Sequence, residues 1–356
     1  MSSLYISSID RWSGKTTIAL AIADSIKRKG KSVAPLKPFS IIEPKPEKTV
    51  DESILAICDH VKVSEDFSKL CPILLKSQLW YTDYVQKYTR DDIINRIVES
   101  HKYLTGKYET VLVIGYKSIF HKILGKITEL EIAKILNSKL LLVVKPNHED
   151  VLGDVISAYE YAKNNNVEVI GVVFNMVKHH MLQKVRNDWT SILENIGLKV
   201  LGVVPEIPEL YNPTIKDLVE ELEAKVLTCE DKLNQTFETI LIGAMTPETA
   251  LRYMRATPGK LVITGGDRAD LIMAALETDT RAIILTGGVY PSARLLAKAE
   301  EKGVPVLIVN YDTFTTVSKI LSISGKLKPG DRRIEIVINK LRDYVNLDEI
   351  IRSLGA

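Results

Sequence analysis

Cysteine is nearly missing from this chain: three in 356 residues, Cys58, Cys71 and Cys229, with no pair in CxxC spacing. That excludes a disulfide framework and a cysteine zinc site, and it fits a reducing, cytoplasmic compartment. An excess of either charge is missing too. Forty-seven Lys and Arg face 45 Asp and Glu, a net +2, so no strong field draws the chain to nucleic acid or a membrane surface. Neither is expected as a partner. No apolar run reaches the length that crosses a bilayer, and because the strand pattern Leu4-Tyr5-Ile6 starts at once, no secretory leader is expected. Glutamine occurs only at 78, 86, 183 and 235 while Lys, Glu and Ile are plentiful, a composition familiar from thermophiles. The one basic run, Lys27-Arg28-Lys29-Gly30-Lys31, reads as a helix end stopped by Gly30 rather than as a nucleic-acid patch.

What is present is alternation. Short apolar, β-branched runs (Leu4–Ser7, Ser32–Leu36, Thr110–Ile114, Leu140–Val144, Val167–Phe174, Lys199–Val203) alternate with helical patterns. This implies βα units and a parallel sheet covered on both faces. A break near 222–234 divides the chain into expected domains 1–225 and 226–356. The second restarts the pattern on a smaller scale, and Thr264-Gly265-Gly266 and Thr286-Gly287-Gly288 each lie between a strand and a helix. The tail beyond 325, with an amphipathic 334–345 stretch, is expected to close this second domain.

The segment from Ser7 to Thr17 joins the first strand to the first long helix and contains Ser13-Gly14-Lys15-Thr16-Thr17. Gly14 lets the backbone pass close to a phosphate, and the helix-start amides point inward behind it. Lys15 is placed to reach β- and γ-phosphates and the Thr16 hydroxyl to ligate Mg²⁺. The usual first glycine of GxxxxGK[ST] is Ile9 here. ATP with Mg²⁺ is the expected cofactor pair.

With Asp10 in SxIDxxSGKTT, this loop resembles that of dethiobiotin synthetases and cobyrinic acid a,c-diamide synthases. Val33 to Pro38, ending in Lys37-Pro38, Gly171 to Asn175, Leu201 to Pro205 and Asn212-Pro213-Thr214 extend the likeness over some 225 residues. The resemblance implies that Asp10, Ser13, Lys37, Asn175 and Pro205 join the nucleotide site, Asn175 at a strand end touching the base. It also implies a second Mg²⁺ carboxylate near Asp51-Glu52-Ser53, where Ser53 aligns best and Asp51 or Glu52 could serve, Asp51 being the candidate taken. The chain departs from the family where a central strand ends in an EG dipeptide: it reads Ile114-Gly115, and isoleucine neither ligates a hard cation nor accepts a proton. Lys37 has two readings, a partner of Lys15 on a phosphate or carboxylate, and a plain lysine at a strand end.

The second region resembles a DRTGG domain through Asp267-Arg268 and Thr286-Gly287-Gly288, with Ile242 to Met245 and Val309 to Thr313 around them. The fold class is therefore α/β: a P-loop NTPase-type parallel sheet domain followed by a smaller α/β DRTGG domain. Together the two resemble the N-terminal regulatory portion of long phosphotransacetylases, without their transferase domain. Glycine turns at helix starts expose amides, so Gly265, Gly266, Asp267, Arg268, Thr286, Gly287 and Gly288 are candidates for a small anionic ligand, helped by Arg294. Tight turns with a capping aspartate are the equal alternative. The expected function is an ATP-binding regulatory protein, in a homodimer, sensing a ligand through its DRTGG domain. The alternative is an ATP-dependent ligase or amide synthase of the dethiobiotin or cobyrinate class, with no catalytic residue identified.

Overall fold

The computed structural model describes residues 2–42, 50–76, 79–207, 212–322, 327–331 and 333–355. It resolves into two compact units, Met1–Glu206 with Leu327–Ala356, and Ile207–Lys326.

The first unit is built on six parallel strands: β1 (Ser2–Ser7), β2 (Val33–Leu36), β3 (Thr110–Ile114), β4 (Lys139–Val144), β5 (Val169–Val177) and β6 (Val200–Pro205). Their order is β6-β5-β4-β1-β3-β2, and each neighbouring pair is parallel. All five β3 residues are buried, as are Leu4, Tyr5 and Ile6 of β1, which explains why these strands are continuous apolar runs rather than alternating ones. The helix α1 (Lys15–Arg28) follows β1 and ends one residue before a Lys29 cap and Gly30 at φ +76°. Its basic end is paired: Arg28 with Asp24 at 2.8 Å and Lys29 with Asp348 at 2.7 Å. The helical segment 182–195 carries a π turn at Val185–Trp189, where the Thr190 hydroxyl donates to the Val185 carbonyl five residues back at 3.1 Å.

The second unit starts with α4 (Ile215–Leu222), numbered after α2 (Glu52–Val61) and α3 (Glu129–Ile135) of the first. Its five strands are β7 (Lys225–Val226), β8 (Thr239–Ile242), β9 (Lys260–Gly265), β10 (Thr280–Thr286) and β11 (Val306–Ile308), in the order β7-β11-β10-β9-β8. Only β7 is antiparallel. The helices α5 (Ala269–Leu276) and α6 (Ala293–Lys302) follow β9 and β10 and bury Leu271, Ala275, Leu295 and Ala299 against Val262 and Ile283.

Both expected domain limits shift. The helix α4, which lies before the expected limit at 225, begins with a Thr214/Asp217 capping box and buries Ile215, Leu218 and Leu222 against Leu261, Ile263 and Ile284 of the second sheet. The tail goes the other way. Its helices α7 (Arg333–Tyr344) and α8 (Leu347–Ser353) return to the first unit. There Asn346 donates its amide to the Leu201 carbonyl at 2.7 Å, Lys199 pairs with Glu349 at 2.8 Å, and Arg342 pairs with the buried Asp24. The chain approaches so closely that a Cβ on Gly202 would lie 2.8 Å from the Tyr344 carbonyl.

Candidate nucleotide site

The site is assembled where β1 and β3 end side by side. The loop after β1 turns into α1 at Gly14, which is left-handed (φ +83°) and caps the helix with no side-chain hydrogen bond. Among the described residues no acceptor takes the amides of Gly14, Lys15, Thr16 or Thr17, so the positive end of a 14-residue helix is open. Glycine is required twice over, because a Cβ there would lie 2.1 Å from Asn175 Nδ2. Asn175 is fully buried and donates from Nδ2 to the Ser13 carbonyl at 2.9 Å. The strand does not end at Asn175 but runs on to Val177, so this side chain braces the loop from within the sheet. Pro205, half-buried, ends β6.

Lys15 is 8% exposed, and its ammonium donates to Ser8 Oγ at 2.7 Å and to the Lys117 carbonyl at 3.2 Å. Burial lowers its pKa, opposed by the nearby Glu129 carboxylate and reinforced by Lys37 and Arg11. The Ser8 and Ser13 hydroxyls both donate to the Asp10 carbonyl, at 2.6 and 3.0 Å. Asp10 therefore shapes the loop through its backbone, while its side chain is exposed. Thr16 and Thr17 are half-buried in the first helical turn. Trp12 is 63% exposed with φ +63°, a conformation uncommon outside glycine.

Lys37 and Asp51 come together, but not as expected. Asp51 caps α2. Its Oδ2 accepts from Lys37 Nζ at 2.6 Å and from the Ser40 hydroxyl, and its Oδ1 from the Ser53 amide at 3.0 Å and the Ser53 hydroxyl. Four donors fill the roughly four lone-pair positions of a carboxylate, so Asp51 does not fit as a magnesium ligand and Lys37 is engaged with it. Burial alone would raise the Asp51 pKa, but the Lys37 ammonium and the hydroxyl donors outweigh it and hold the carboxyl well below its usual range.

One site residue escaped the sequence reading. Glu129, the first residue of α3, is fully buried. Its Oε2 accepts from the Ser7 hydroxyl at 2.6 Å and its Oε1 from the Lys117 amide at 2.7 Å. It occupies the space a side chain at 115 would fill, since a Cβ on Gly115 would lie 2.2 Å from Oε2. The Thr128/Glu131 capping box is visible in the sequence as Thr-x-x-Glu and places position 129 at a helix start. Its burial is not visible there.

In the second unit the two halves of the motif do meet. Gly266 packs under the Val289 backbone, where a Cβ would lie 1.7 Å from its carbonyl oxygen. The amides of Gly287 and Gly288, however, are engaged. Gly287 donates to the Tyr311 carbonyl at 2.8 Å and Gly288 to that of Val309 at 2.9 Å. Thr286 is buried, 3.0 Å from the Thr313 hydroxyl. Arg268 caps α5 and is held by Asp270 at 2.9 Å and by the Met245 carbonyl at 3.0 Å. Asp267 and Arg294 are exposed, and Gly265 ends β9. Among the described residues there is no cluster of three or more His, Cys, Asp or Glu able to hold a metal, and no helix long and apolar enough to cross a membrane.

A parallel sheet whose first strand runs through a Gly-Lys-Thr loop into an uncapped helix defines a P-loop NTPase-type domain, here followed by a smaller α/β domain. The chain belongs to the AAA domain family: the family model matches residues 2–214, and the DRTGG domain model matches residues 217–323. Among curated proteins it is similar to the phosphate acetyltransferase of Pseudomonas putida, 25% identical over 97% of this chain and 51% of that protein. It is also similar to the one from Salmonella typhimurium, 26% identical over 96% of this chain and 51% of that protein. The chain thus spans about half the length of these relatives. Among solved structures, the septum site-determining protein MinD complexed with Mg-ADP from Pyrococcus horikoshii matches with a TM-score of 0.38 and 17% identity, over 59% of this chain and 83% of that one.

Proposed function

We propose that the first unit binds ATP with Mg²⁺ and that the chain is a regulatory nucleotide-binding protein rather than a ligase. The observation that carries this reading is the set of open amides from Gly14 to Thr17 beside the buried Lys15 ammonium. Phosphate oxygens suit both. Thr16 would give its hydroxyl to the magnesium ion, Asn175 would hold the loop from behind, and Pro205 would flank the base. Ile114 offers no oxygen at the end of β3, and Lys37 is engaged by Asp51, which argues against a substrate-activating ligase. The DRTGG unit would then act as a sensor of a small anion or as a homodimer contact, in a cytoplasmic protein.

Calorimetry with ATP and Mg²⁺ tests the reading. Binding by the unaltered chain and a loss of about 100-fold or more in Lys15→Ala are expected, the scale on which a charge-stabilising group acts in such sites. Equal affinities would refute it. Steady-state hydrolysis at several turnovers per second by the chain alone would favour the ligase class instead. Coupling between the units is read by hydrogen exchange across residues 260–295, with and without saturating ATP; unchanged protection would leave the two merely tethered.

A further inference from the structure

We propose that Glu129 supplies the carboxylate of the magnesium site, in place of the side chain that Ile114 cannot provide at the end of β3. The inference rests on the nucleotide reading above and concerns ion affinity, not turnover. A fully buried carboxylate is costly unless its charge is answered. Among the described residues Glu129 receives one hydroxyl and one amide and makes no ion pair, and the Lys15 ammonium acts on its charge only from beyond contact. It still has acceptor capacity.

Its position makes that capacity useful. Ser7, which bonds it, is the last residue of β1, immediately before the phosphate loop. Lys117 links it to the loop lysine, giving its amide to Glu129 and its carbonyl to Lys15. Gly115 opens the room: any side chain there would meet the Glu129 carboxylate. The neighbouring Tyr5 hydroxyl is buried with no hydrogen-bond partner among the described residues, so polar groups gather on this face of β1. Magnesium takes one or two carboxylates and keeps several waters besides the nucleotide phosphates. Thr16, one carboxylate and water meet that need, whereas Asp51 has no capacity left.

The test is calorimetric titration of ATP in excess Mg²⁺ and again in EDTA, with thermal unfolding as a folding check. Glu129→Gln keeps an oxygen for the Lys117 amide and lets the Ser7 hydroxyl accept instead of donate, but removes the charge. It should lose about 10- to 100-fold of the magnesium enhancement, the usual range for perturbed metal sites. Its affinity in EDTA should be unchanged or higher. Adding Ile114→Glu to Glu129→Gln should restore the enhancement. Full magnesium enhancement in Glu129→Gln overturns the assignment and leaves the nucleotide reading intact. No ATP binding by the unaltered chain in either buffer removes both. If Glu129→Gln does not fold, Glu129→Asp withdraws the carboxylate by one methylene, and full enhancement there would equally overturn the assignment.

Discussion

Two strand–glycine–helix turns in this molecule use similar residues and treat their backbone differently. After β1, Gly14 turns the chain so that the amides of residues 14 to 17 meet no acceptor among the described residues, and Lys15 is folded in beside them. After β10, Gly287 and Gly288 have equally positive φ angles of +77° and +67°, but their amides are tied to Tyr311 and Val309. The first turn leaves its donors without acceptors among the described residues. The second uses them to fasten β10 to the segment after β11. Glycine with positive φ therefore marks a turn, and the partners of its amides decide whether the turn is a site.

The comparison can be broken most severely at Gly14. Gly14→Ala forces a side chain into a left-handed position and onto Asn175 Nδ2, so ATP affinity should fall at least about 100-fold by calorimetry, as for loss of a charge-stabilising group. Gly266→Ala drives a Cβ onto the Val289 backbone. It should destabilise the second unit by about 3 kcal/mol or more in urea unfolding while ATP affinity is kept. Gly287→Ala meets nothing within 4 Å, so only the positive φ is penalised, at about 1–2 kcal/mol.

Lys37→Met separates structural from ligand-directed charge in the first unit. Because the Asp51 carboxyl is held below its usual range, its pairing stabilises the fold fully above about pH 4 and is lost as pH falls toward the depressed value. The variant should lose about 3 kcal/mol at pH 7 by leaving a buried carboxylate without its cation, and its stability should converge with that of the unaltered chain as pH falls from about 4 toward 2. A constant difference across that range would show that Lys37 acts by packing alone.

Much of the first unit was legible because local signals agreed: an apolar strand, a Gly-Lys-Thr loop and a helix ended by Gly30. Three features were not, each depending on contacts distant in sequence. Asp51 looks like a free acid until Ser40, Ser53 and Lys37 surround it. Glu129 looks like an ordinary first-turn acid, and only the missing Cβ of Gly115 lets it reach the end of β1. The tail was expected to close the second domain, but its apolar stripe says only that it is buried, not where. Its return to the first unit is fixed by Asp24 in α1 and by Gly202, which admits the Tyr344 backbone.

The central claim, that the open amides after β1 are the ligand site and the glycine amides after β10 are structural, is tested most directly by residue-resolved hydrogen exchange at positions 14–17 and 287–288, with and without ATP and Mg²⁺. The account predicts fast exchange at 14–17 that slows on adding nucleotide in the unaltered chain but not in Lys15→Ala, and slow exchange at 287–288 before any ligand is added. Exchange at 14–17 that saturating nucleotide leaves unchanged, with 287–288 becoming protected instead, would contradict it.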